Sequence, residues 1–124
     1  MPLAYWCVLI AALLPLALAA YAKSGSGDNH HPRDGVSTLP DMKRRAYAAH
    51  QNAFETFPFF AIAVVAALLF GASTSTVNIL AALYIVLRVV HAVLYINDAA
   101  TARSITFTLG LLVNIAIFVL PAFK

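Results

Sequence analysis

The chain has 124 residues, of which 62% are hydrophobic and 10% charged, with a net charge of +3 and a mean hydropathy of +0.84. A soluble domain carries roughly 25% charged residues, so the composition excludes an ordinary water-soluble fold and leaves one apolar domain, residues 1–124. The single cysteine, Cys7, excludes an internal disulfide and a cysteine-based metal site.

The first apolar run, Leu3 to Ala20, predicts a helix over residues 3–22. Ala20-Tyr21-Ala22 resembles a small-residue cleavage site, but no Lys or Arg precedes the run, so a retained helix is expected rather than a signal peptide. Cys7 inside it reads as an inert buried thiol. Tyr5 and Trp6, near its start, read as interfacial aromatic residues.

Residues 23–38 (KSGSGDNHHPRDGVST) form a loop rich in Gly, Ser, Asp and Pro. His30 and His31 there lack the ligand spacing of a zinc site and read as a solvated pair. Thr38 is the expected N-cap of a second helix over residues 39–70, with Pro40 in its first turn. At 1.5 Å per residue that helix is about 48 Å long. Its first turns, with Lys43, Arg44 and Arg45, therefore stand at or beyond the membrane surface. Pro58 removes the donor for the Phe54 carbonyl and is expected to kink it. A third helix over 76–96 ends at Asn97-Asp98, and a fourth over 101–120 stops at Pro121.

Crossing the hydrocarbon core takes about 20 apolar residues, and each of these stretches supplies them. The expected fold is all-α, a transmembrane four-helix bundle. Lys23, Arg33, Lys43, Arg44, Arg45 and Arg103 flank the first and third loops. The positive-inside rule then makes the long loop cytoplasmic and puts both termini outside. The brevity of the chain suggests a prokaryotic inner membrane. Acidic residues interleave with the basic ones, so the charge gives no reason to expect nucleic acid.

Ionisable groups inside a bilayer cost about 2.5–3.5 kcal/mol each on insertion scales and mark partners or sites. Glu55 and Arg88 qualify. Glu55 lies about 16 Å inward from Arg44 and Arg88 about 15 Å inward from Asp98, so an ion pair between them is expected. Arg45, Asn52 and Glu55 share one stripe of the second helix, and Arg88, His91 and Tyr95 one stripe of the third. Arg103 and Ser104 open the fourth. Such polar groups can act as interhelical hydrogen-bonding glue. The whole set also suits a small zwitterionic, net anionic ligand, because arginine offers forked donors to carboxylates and a carboxylate takes an ammonium. His50 lies off the first stripe and could as easily face a neighbouring subunit. Asn114 is expected to hydrogen-bond another helix.

His50-Gln-Asn52-Ala-Phe-Glu55-Thr-Phe-Pro58, with Arg88-Val-Val-His91-Ala-Val-Leu-Tyr95 and Arg103-Ser104-Ile-Thr-Phe-Thr-Leu, resembles the MAPEG family (membrane-associated proteins in eicosanoid and glutathione metabolism). The resemblance implies a homotrimer of four-helix subunits that binds glutathione, as co-substrate, between subunits. It implies a transferase or peroxidase acting on lipophilic electrophiles. Arg103, with Ser104 beside it, matches the residue that stabilises the glutathione thiolate. Asn52, Glu55, His91 and Tyr95 would line the tripeptide, and Arg88 would be a buried ligand-side cation. Ala48 stands where family enzymes have an arginine, and Arg45, one turn earlier on that stripe, is the expected substitute. Gln51 and Phe107 also depart from the family pattern. These departures carry the alternative expectation, a non-catalytic relative that binds a small anionic ligand or a partner.

Overall fold

The structure, a computed structural model, describes residues 1–24 and 39–123. The proposed cap Thr38 and the pair His30 and His31 lie outside the described residues. Four helices run in sequence order: α1 (Leu3–Lys23), α2 (Asp41–Leu69), α3 (Thr74–Ile96) and α4 (Ala100–Val119), the last closed by a 3-10 turn at Leu120–Phe123. No strand occurs among the described residues. Each helix is long and apolar enough to cross a membrane, and the chain is an integral membrane protein.

Local chemistry sets the helix ends. α2 starts after Pro40, which fixes its own φ and has no N–H to leave unpaired, and Asp41 in the first turn complements the helix dipole. Asp41 also meets Arg44 at 3.6 Å, an exposed contact contributing at most about 1 kcal/mol. The helix then continues through Pro58 to Leu69. Gly71 takes φ 85 in the α2–α3 turn, a left-handed position that glycine adopts without steric cost. The Ser73 hydroxyl accepts the Thr76 N–H to cap α3. At the α3–α4 turn Asp98 sits at φ 61, and the Asn97 side-chain amide donates to the Val93 carbonyl at 2.9 Å. An aspartate tolerates that region better than most residues.

α1 packs most extensively on α2, and α3 on α4. The two ends of the bundle are pinned by different contacts. At the loop end, Lys43 Nζ donates to the carbonyl and hydroxyl of Ser24, each at 2.6 Å. At the opposite end, the Ala4 N–H donates to Asn78 Oδ1 at 2.9 Å, tying the start of α1 to α3. The core between these ends is built largely on alanine: Ala4, Ala11, Ala63, Ala67, Ala72 and Ala81 form one buried cluster with Phe60, Val64, Val77, Tyr84 and Ile117. Small residues let helix backbones approach closely, which in lipid replaces the missing hydrophobic drive between helices. Phe60 and Tyr84 stack at 4.2 Å with their planes 8° apart. Large apolar side chains point outward instead; Leu16, Ile62, Ile79 and Val86 are all more than half exposed. That inside-out distribution suits lipid rather than water as the surrounding medium.

Candidate functional site

The polar residues gather in the loop-end half, where α2, α3 and α4 meet. Asn52, His91, Tyr95, Arg103 and Ser104 line one cleft of about 330 Å³, together with Phe107 and Thr108. That volume is near the lower bound of ligand sites, about 300–1,000 Å³.

Each wall of the cleft is held in place. Arg103, in the first turn of α4, lies with its guanidinium carbon 4.4 Å from the centre of the Tyr95 ring. This cation–π contact fixes a long, rotamer-rich side chain over the cleft. His91 is buried and meets Tyr95 edge-on at 5.7 Å, with the Phe107 ring 6.1 Å away. Its Nδ1 has no hydrogen-bond partner among the described residues. Asn52 Oδ1 accepts from Arg88 Nη2 at 2.7 Å. With its oxygen taken, the Asn52 amide has its NH2 left to offer a ligand carbonyl or carboxylate. Ser104 is exposed at the rim.

The expected Glu55–Arg88 ion pair does not form. Arg88 is buried and turns to Asn52, while Glu55 is exposed on the outer side of α2. The two residues share only a smaller crevice of about 160 Å³, also lined by Tyr84, Phe107, Gly110 and Asn114. The depths agree, but residues three apart on a helix differ by about 60° in direction. Asn52 takes the azimuth that faces Arg88.

Arg45 is likewise outside the main cleft. Its Nε donates to the Ile96 carbonyl at 2.8 Å, so it satisfies a C-terminal carbonyl of α3 that the helix itself leaves unpaired. It lines a wide cleft of about 570 Å³ with Asp41, Arg44, Tyr47, Gln51 and Tyr95. Tyr95 is the wall the two clefts share. Of the two placements open to His50, the structure shows a contact within the chain: its Nδ1 lies 2.7 Å from the Pro15 carbonyl of α1. Asn114, expected to bridge helices, has an Oδ1 with no partner among the described residues. Sequence patterns missed the Arg45–Ile96 bond because its acceptor is backbone, and they missed Tyr84, whose ring reads as ordinary apolar filling.

The donor set suits a small anionic ligand with carbonyl or carboxylate groups. Arg103 and the Asn52 amide offer N–H groups and Ser104 a hydroxyl, at a cleft also lined by His91, whose buried Nδ1 has no partner among the described residues. Among the described residues no three His, Cys, Asp or Glu side chains gather as a metal site would require. No curated protein and no solved structure matched the chain. A model of one family does, the MAPEG family, over residues 3–123. That match spans all four helices and every side chain of the cleft, and the chain belongs to the MAPEG family.

Proposed function

We propose that the protein is a glutathione-dependent transferase or peroxidase acting on lipophilic electrophiles that reach the cleft from the bilayer. The observation that carries this reading is the fixed position of Arg103 over Tyr95, beside the Asn52 amide and the unpaired nitrogen of His91. Glutathione supplies a thiol whose sulfur, as thiolate, bonds to an electrophilic carbon while the leaving group departs with its electron pair. As a peroxidase, two glutathione thiols would reduce a hydroperoxide to an alcohol and water, with formation of the disulfide. Arg103 stabilises the thiolate: a free thiol titrates at about 8.5, and an adjacent cation shifts it toward the nucleophilic form. Ser104 donates beside it. The Asn52 NH2 receives a carbonyl or carboxylate, and Arg88 holds that amide in orientation.

Assembly as a homotrimer belongs to the same proposal. Its support is Glu55, an exposed carboxylate well inside the expected span, which lipid alone would leave unpaired. A neighbouring copy that covers this face would bring Glu55 to the amine of the tripeptide. We place the long loop on the cytoplasmic side of the membrane, from the charge asymmetry of the loops.

A second reading, a non-catalytic relative that binds an anionic ligand or a partner, is favoured by one observation. Arg45, the expected substitute for the arginine that family enzymes have at the position of Ala48, is engaged with Ile96. Turnover of glutathione with a lipophilic aryl halide or hydroperoxide in nanodiscs separates the two. Wild type turns over, and Arg103→Leu loses about 100-fold or more in kcat, the scale of a deleted charge-stabilising donor. Turnover unchanged in that variant sinks the assignment of Arg103, and no turnover by wild type favours the second reading.

A further inference from the structure

The smaller crevice holds a group that the cleft chemistry leaves unused. Asn114 is 3% exposed, its Oδ1 has no hydrogen-bond partner among the described residues, and it lines the crevice between α2, α3 and α4. An unsatisfied buried amide costs about 1–3 kcal/mol, and in the membrane interior no bulk water relieves it. A ligand group that satisfies it would recover that cost.

Size and lining narrow the occupant. About 160 Å³ is the liquid volume of roughly five waters, too small for a whole lipophilic ligand and ample for its polar end. Glu55, Thr56 and Arg88 line part of the crevice, and the rest of its wall is apolar and aromatic: Phe59, Tyr84, Phe107 and Leu111. Phe59 and Leu111 are exposed on the bundle surface, which leaves an apolar path from the bilayer to the crevice. Gly110 keeps it open, since a Cβ there would have no atom nearer than Tyr84 Cε1 at 4.0 Å. An amide can present either its oxygen or its NH2, and a hydroxyl, being donor and acceptor at once, satisfies both orientations. A plain carbonyl or ether satisfies only the NH2.

We propose that this crevice is a subsite for the hydroxyl or hydroperoxyl end of a lipophilic molecule, with Asn114 as the residue that recognises it. The crevice shares Phe107 with the main cleft, so a molecule anchored at Asn114 lies beside the position of the thiol. That the molecule is a substrate rests on the glutathione reading; that the crevice selects a hydroxyl does not.

The test is photolabelling in nanodiscs without glutathione, using a diazirine-bearing long-chain alcohol and its methyl ether. Wild type is expected to take up the alcohol at crevice residues about fivefold more than the ether. Asn114→Leu abolishes that preference. Gly110→Val, which fills the crevice and leaves the amide in place, lowers labelling by both probes. Equal labelling of wild type by both probes, as an amide satisfied by trapped water would give, overturns the proposal. So does a preference that persists in Asn114→Leu, or a crevice that neither probe enters because a neighbouring subunit fills it. Glutathione calorimetry on the same preparations keeps a failure of the glutathione reading distinct from a failure of this one.

Discussion

The two halves of the bundle use polar side chains in opposite ways. In the half away from the long loop, Asn78 and Ser73 each serve a helix N-terminus, and the interior is alanine with a stacked Phe60–Tyr84 pair. Those two polar groups complete the backbone; Asn114, toward the far end of α4, is the exception, with its Oδ1 unpaired among the described residues. In the loop half, Arg88, His91 and Asn52 are drawn into the interior, and the hydrogen bonding is left incomplete at His91. A membrane interior penalises such groups, so their accumulation in one half is the pattern expected of a site rather than of packing.

Substitutions in each half test that contrast. The largest stability effect is expected at the Asn52–Arg88 bond. Asn52→Ala leaves the buried guanidinium without its side-chain partner and costs about 1.5–3 kcal/mol, the range for hydrogen bonds to charged groups. Adding Arg88→Met then costs less than the sum of the single changes, a coupling that a double-mutant cycle in nanodiscs reads directly. Additive effects would mean that the two side chains act independently.

In the other half, Ala63→Leu forces a larger side chain into a position with no exposed surface. Overpacking there should cost about 1–3 kcal/mol and lower the Tm, while the folded fraction keeps its kcat/KM. Loss of kcat/KM per folded molecule would show that the halves are coupled. Tyr95→Ala removes the ring beneath Arg103, whose cation–π attraction contributes about 0.5–2 kcal/mol. A lower kcat/KM with little change in Tm is expected, and Tyr95→Phe, which keeps the ring, retains most activity. Asn78→Ala is expected to do least: one cap bond, about 0.5–1.5 kcal/mol, with glutathione turnover unaffected.

The four spans were legible because lipid imposes a pattern no local detail can hide: long apolar stretches separated by polar turns. Asn52, His91, Tyr95, Arg103 and Ser104 were legible as a group because helical spacing gathers them on facing stripes. The partner of each was not. Equal depth suggested Glu55 for Arg88, but depth carries no azimuth, and the rotation between Asn52 and Glu55 decided the contact. Arg45 and His50 bond backbone carbonyls, at Ile96 and Pro15, and a carbonyl has no residue letter. Asn114 looked like interhelical glue because a polar residue in an apolar helix usually is; the packing instead leaves its Oδ1 unpaired among the described residues, at a crevice that Gly110 and Tyr84 also line.

Whether the loop-end cleft is a glutathione site is decided by calorimetry on the purified protein, with Glu55→Gln and Arg103→Leu alongside. Saturable binding by wild type, weakened or lost in both variants, is the expected result. Absence of binding at several millimolar, or binding unchanged in both variants, would contradict the assignment and leave the cleft to some other anion.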